Sequence, residues 1–151
     1  MPPPDPALGR GDLGFLLAKA AQRWNELLAA GFAAAGYDEV RPSYGSVLLP
    51  LYEEDPLRMG ELARRARLSK QTMTTLVARL ERDGLVERRP DPADARAQLV
   101  FLTPRSRAFA PVAAETLRRI DELARRRLGA GGVAAAADAL RALMDLDEEA
   151  G

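Results

Sequence analysis

Ser69-Lys70-Gln71-Thr72, followed by Thr74 and Thr75, gathers a helix cap, a cation, an amide and three further hydroxyls within seven residues. On the first turns of a helix these groups are suited to the edges of bases: Gln pairs with adenine through two hydrogen bonds, Lys reaches guanine, and Thr offers a hydroxyl or a methyl. Thr72 stands at the edge of the set, where it could instead pack against the preceding helix. Arg96 is the second chemically distinctive residue, because it falls near the tip of a predicted hairpin. A guanidinium on a protruding tip suits a narrow minor groove with strong negative potential. Arg79, Arg88 and Arg89 add cations on the same helix and beside the hairpin, where they can meet phosphates. In another setting the same residues would be a solvated polar surface, so their meaning depends on what positions them.

What the chain lacks is as informative. It has no Cys and no His, which removes disulfides, thiol nucleophiles, zinc sites of the Cys/His type and the commonest acid–base catalyst near neutral pH. Glu53-Glu54-Asp55 before Pro56 reads as a turn rather than a catalytic carboxylate pair, and no phosphate loop or nucleophile elbow is present. The residues therefore predict a protein that is not an enzyme and uses no cofactor or metal.

The elements that must position these groups follow from periodicity. Residues 1–11, rich in Pro, Gly and Asp, predict a disordered tail. From the N-cap Asp12, apolar residues at spacings of three and four (Leu13, Leu16, Leu17, Ala20, Trp24, Leu27, Leu28) predict a long amphipathic helix. A second helix is expected from Pro42 through Leu51, bent or shortened by Pro50. Met59–Ala66 and Lys70 to about Asp83 predict two helices joined by a short turn, the second capped by Ser69 and closed by Gly84. Residues 85–89 and 98–102 alternate as strands, with Pro90–Ala97 as a long polar loop between them. Thr103-Pro104 opens a long helix to about Leu128, with a bend expected at Pro111; Gly129, Gly131 and Gly132 separate it from a last helix.

The fold class expected is mainly α with a small β-hairpin: a winged helix-turn-helix over residues 57–107, flanked by N-terminal helices over 12–56 and C-terminal helices over 108–151. The flanking helices carry more apolar stripe than a monomer of 151 residues can hide, which predicts a homodimer. The start MPPPDPALGRGD has neither a basic segment nor an apolar one of signal type, so a cytoplasmic protein with no membrane partner is expected.

The 22 basic and 22 acidic residues cancel. Residues 57–107, however, hold 12 of the basic and 6 of the acidic residues, a surplus of six positive charges that the flanks balance with the opposite sign. A basic surplus that coincides with a helix-turn-helix and a wing is the electrostatic footprint of a phosphate backbone.

Leu68–Thr103, LSKQTMTTLVARLERDGLVERRPDPADARAQLVFLT, resembles the winged helix-turn-helix regulators of the multiple antibiotic resistance regulator (MarR) family. The likeness rests on the Ser/Thr-rich helix, the Leu80-Glu81…Gly84-Leu85-Val86…Arg88 end, the wing residues Asp91…Asp94-Ala95-Arg96, and Leu102-Thr103. It implies a dimeric transcriptional regulator, usually a repressor, on a pseudo-palindromic double-stranded DNA operator. It also implies that Arg96 enters the minor groove and that Asp94 orients it. Two positions depart from the family pattern: Thr75 stands where many relatives have a basic residue, and Ser106 where a Gly is common. Such regulators often bind a small aromatic or anionic effector between the dimer helices and the reading lobe, and Trp24, Tyr37, Arg41 and Tyr44 are candidates to line that cleft. An aromatic core or dimer interface is the competing reading of the same residues. The alternative function is a winged-helix module for protein contact, without specific DNA binding.

Overall fold

A computed structural model describes residues 1–147; the last four residues of the expected C-terminal region 108–151 lie outside it. The Asp12 carboxylate accepts the Phe15 N–H at 3.2 Å, and from this cap α1 runs over Leu13–Ala34 with Leu28 and Phe32 buried. Ahead of it, residues 1–11 bury nothing, yet Asp5 caps one turn of 3-10 helix at Pro6–Leu8.

The second helix expected from Pro42 is in two parts, a 3-10 turn at Pro42–Tyr44 and then α2 over Gly45–Glu53. Pro50 lies inside α2 without ending it, and its carbonyl accepts the Glu54 N–H that closes the helix. After a turn come β1 (Leu57–Arg58), α3 (Met59–Ala66) and α4 (Lys70–Arg82). Arg67 joins the two helices in the left-handed conformation, φ 55°, and Ser69 caps α4 by accepting the Thr72 N–H at 3.1 Å. Gly84, φ 77°, turns the chain out of α4 into the sheet.

The hairpin departs from expectation. Strands β2 (Val86–Asp91) and β3 (Asp94–Leu102) continue through most of the supposed loop, leaving only Pro92 and Ala93 between them. Polarity misled here: a two-sided, solvent-exposed ribbon needs its backbone ladder, not apolar side chains, to be a strand. The sheet has three strands in the order β1-β3-β2, all antiparallel, with Leu57 opposite Val100 and Arg88 opposite Val100 from the other side. Two-residue β1 carries no periodic signal and was not expected.

Helix α5 spans Pro104–Met144. Thr103 and Ser106 form a reciprocal capping box, so the departure from Gly at Ser106 supplies a side chain that the helix start uses. The backbone stays helical through Pro111, where a bend was expected, and leaves it only at Gly129 (φ 75°, ψ 163°). One continuous core joins the lobe to the helical body through Tyr44, Leu51, Leu62, Met73, Leu80 and Val100. Gly31 lets α1 and α5 approach closely, since a Cβ there would lie 2.5 Å from Thr116 Cγ2. Along the outer faces of α1 and α5, Leu13, Leu16, Trp24, Leu128, Leu140 and Met144 stay exposed. Among the described residues, no helix is long and apolar enough to cross a membrane.

Candidate nucleic-acid interface

The interface begins with how the fold presents α4. Met73, Val77 and Leu80 face the core, leaving Lys70, Gln71, Thr74, Thr75 and Arg79 on the exposed side. Ser69 Oγ also donates to Thr72 Oγ1 at 2.9 Å, so Thr72 belongs to the exposed cap rather than to a contact with α3. The Thr74 and Thr75 hydroxyls donate back to the carbonyls of Lys70 and Gln71 at 2.8 and 3.1 Å. Their protons are thereby committed, and what they offer outward is a methyl group and a lone pair. Among the described residues, the Lys70, Gln71 and Arg79 side chains have no hydrogen-bond or ion-pair partner.

Two braces hold the far end of α4. Tyr44, fully buried, donates its hydroxyl to Asp83 at 2.5 Å. Burial, and then the neighbouring carboxylate, raise the Tyr44 pKa, while the same hydrogen bond lowers that of Asp83. Glu81 receives the Arg88 guanidinium at 2.8 Å and the Arg88 backbone N–H at 3.1 Å, tying α4 to β2. Those hydrogen bonds hold the Glu81 carboxyl below the usual range. Arg88, expected at phosphate, is therefore occupied as a brace. Arg89 stays exposed, paired with Glu87 at 2.8 Å and lying over the Phe101 ring at 4.7 Å.

At the wing, Asp94 accepts the Arg96 backbone N–H at 3.0 Å, while the Arg96 guanidinium stands 3.7 Å from the same carboxylate and is 95% exposed. Asp94 thus shapes the backbone and holds the exposed charge only loosely. Across from it, Lys70 and Thr74 share a cleft of about 580 Å³ with Arg58, Asp94, Arg96 and Gln98, so recognition helix and wing form two walls of one surface. On the other side of α4, Gln71, Thr75 and Arg79 border a second cleft of about 520 Å³ with Ser43 and Ser46.

Charge pairing separates the cations. Of the 12 in residues 57–107, nine lie within 3.5 Å of a carboxylate. Arg64 and Arg65, for example, hold the Glu61 carboxyl down at about 2. Among the described residues, Lys70 and Arg79 have no carboxylate partner and Arg96 has only the looser contact to Asp94 at 3.7 Å, and all three lie on α4 or the wing.

The four residues expected around an effector do not meet in one cavity. Tyr44 is a core residue whose hydroxyl is used, and Tyr37 is half-buried between Phe109 (centroids 5.0 Å apart) and Arg105 (4.0 Å). Trp24 and Arg41 are exposed. A groove of about 520 Å³ between α1 and α5, floored by Leu27, Gly31 and Ile120 and edged by Arg119 and Arg126, includes none of the four. Sequence reasoning missed Arg58 and its buried partner Asp91, 2.6 Å away; that Asp91 lies inside the quoted wing motif was the available signal.

A sequence profile of the MarR family matches residues 40–97. The transcriptional repressor NicR of Pseudomonas putida is 33% identical over 140 residues, covering 92% of this chain and 86% of NicR. The PcaV transcriptional regulator of Streptomyces coelicolor, solved with its natural ligand, superposes with a TM-score of 0.79 at 25% identity, covering 98% of this chain and all of that one. The transcriptional repressor CouR, solved on a 23-mer DNA duplex, superposes at 0.76 and 25% identity, covering 91% of this chain and 98% of its own. With its winged helix-turn-helix and matching full-length relatives, this chain belongs to the MarR family and is a DNA-binding transcriptional regulator.

Proposed function

We propose that the protein is a homodimeric, cytoplasmic repressor that holds a pseudo-palindromic operator and releases it on binding a small organic molecule. The observation that carries the DNA-reading part is the distribution of weakly held cations: Lys70 and Arg79, unpaired on α4, and Arg96, 95% exposed on the wing with only a 3.7 Å contact to Asp94. In this reading α4 enters the major groove, Gln71, Thr74 and Thr75 meet base edges, Ser69 and Thr72 order its N-terminus, and Arg96 enters the flanking minor groove. Arg89 lies beside the wing and stays paired with Glu87, so it neutralises no phosphate in this reading. The exposed apolar residues of α1 and of α5 beyond Leu123 support dimerisation through the terminal helices.

Release by an organic molecule is supported by the likeness to PcaV, whose structure holds its natural ligand. Of the four residues first placed at that cleft, Tyr37 and Arg41 remain the better candidates, because both lie in the segment linking α1 to the reading lobe. Tyr44 has no free polar atom to offer.

Selection of genomic DNA fragments with the purified protein tests the central part. The expected product is a set of fragments sharing an inverted repeat whose half-sites are about one helical turn, roughly 10–11 base pairs, apart. Recovery of fragments with no shared sequence would instead favour a winged helix used for protein contact.

A further inference from the structure

We infer that Arg58 and Asp91 are a positioning pair that sets the angle of the wing and so the placement of Arg96. This rests on the reading above in which Arg96 contacts DNA. The strand order β1-β3-β2 puts Arg58 and Asp91 on opposite sides of the central strand, so their ion pair at 2.6 Å spans β3. The Asp91 side chain is only 8% exposed although Pro92 and Ala93 beside it are open to solvent. Both of its oxygens are used: Oδ2 takes the Arg58 guanidinium, and Oδ1 accepts the Ala93 N–H at 2.9 Å across the two-residue turn.

The pair acts where the sheet is weakest. Pairing of β1 with β3 ends at Arg58 opposite Leu99, so the wing beyond is a two-stranded ribbon whose register slips between Pro90 and Asp91. Ribbons of two strands twist and bend more readily than wider sheets. Among the described residues, Arg58–Asp91 is the one ion pair joining residues 90–97 to the rest of the lobe; Asp94–Arg96 is internal to the wing. Arg58 also lines the cleft that holds Lys70 and Arg96, so its placement fixes the spacing of the two DNA-facing walls.

Asp91→Asn separates positioning from charge. Asn keeps an acceptor for the Ala93 N–H and puts an amide NH2, which cannot accept, where Oδ2 held Arg58. By Coulomb's law alone, losing an anion and freeing Arg58 would tighten binding to DNA. Positioning predicts the opposite sign, with operator binding weakened several-fold.

A double-mutant cycle with Arg96→Ala on the selected operator completes the test. Arg96→Ala should weaken binding about tenfold in the native protein and less than about threefold in D91N. Tighter or unchanged binding by D91N, or an equal Arg96 effect in both backgrounds, overturns the inference. No Arg96 effect in the native protein would overturn the minor-groove reading itself, and the inference with it. Should D91N fail to fold, Arg58→Gln replaces it in the cycle, with the same loss of coupling expected and an equal Arg96 effect again contradicting it.

Discussion

Replacing Arg96 by alanine should weaken operator binding by about tenfold or more while leaving the folded protein as stable as before. The side chain is 95% exposed and its guanidinium makes no hydrogen bond, so its removal takes nothing from the core. Exposed positions of this kind change stability by about 0.5 kcal/mol or less. The backbone of the wing stays shaped by Asp94 on the Arg96 N–H and by Asp91 on the Ala93 N–H, both of which survive the substitution. What disappears is one exposed, loosely held cation on the wing. Arg96→Lys keeps the charge but substitutes a compact, strongly hydrated ammonium for a planar fork, and should recover only part of the affinity. Fluorescence anisotropy on an operator duplex, alongside thermal melts, measures both halves. An unchanged dissociation constant for the alanine variant would remove Arg96 from the interface.

The largest expected loss of stability comes from Phe109→Ala, at about 3–5 kcal/mol. Phe109 is 2% exposed and meets Phe32 of α1 edge to face, with centroids 4.8 Å apart, and Tyr37 of the following segment at 5.0 Å. Its ring is where the start of α5 is fastened to the end of α1, with Arg105 also over the Tyr37 ring at 4.0 Å and held by Glu39 at 2.6 Å. Truncation leaves a cavity bounded by three separate segments that cannot all close in on it. Phe109→Leu refills much of the volume and should lose far less, about 1.5 kcal/mol. Urea unfolding of the three proteins at equal concentration reports the differences. A midpoint for Phe109→Ala equal to that of the native protein would show that this junction does not hold the body together.

Much of this architecture was legible because its boundaries are local chemistry. Asp12, Ser69 and Thr103 cap the helices expected of them, Met59–Ala66 forms over the span its apolar spacing marks, and Gly129 breaks α5 where three glycines signalled a stop. Features set by pairing with distant residues were not legible. The wing's strands run through a polar segment because β2 and β3 satisfy each other's backbones, and β1 exists only because Val100 and Leu99 lie beside it. Pro111 leaves α5 helical, with Phe109, Ala113 and Thr116 buried on either side of it.

Within the site, residue types identified which side chains face outward on α4, but pairing decided which charges are free. Arg88 and Arg79 are indistinguishable by composition. One is bound to Glu81, and the other has no carboxylate near it. The sequence places Tyr37 and Tyr44 among the candidates for an effector cleft, whereas burial makes Tyr44 a strut of the recognition helix. Partners 39 residues apart, such as Tyr44 and Asp83, leave no mark in a local pattern.

The salt dependence of operator binding tests the account most directly, because it counts the cations that DNA neutralises. Each neutralised phosphate contributes about −0.9 to the slope of log K against log salt. With Lys70, Arg79 and Arg96 as the cations of each protomer that DNA neutralises, the proposed dimer should give a slope of about −5. If the paired arginines abandoned their carboxylates for phosphate, the 12 cations of each lobe would push the slope toward about −20. A titration giving about −5, falling to about −4 in Arg96→Ala, is the predicted result. A flat response, or one near −20, would contradict the claim that the unpaired or loosely held cations on α4 and the wing form the DNA-binding face.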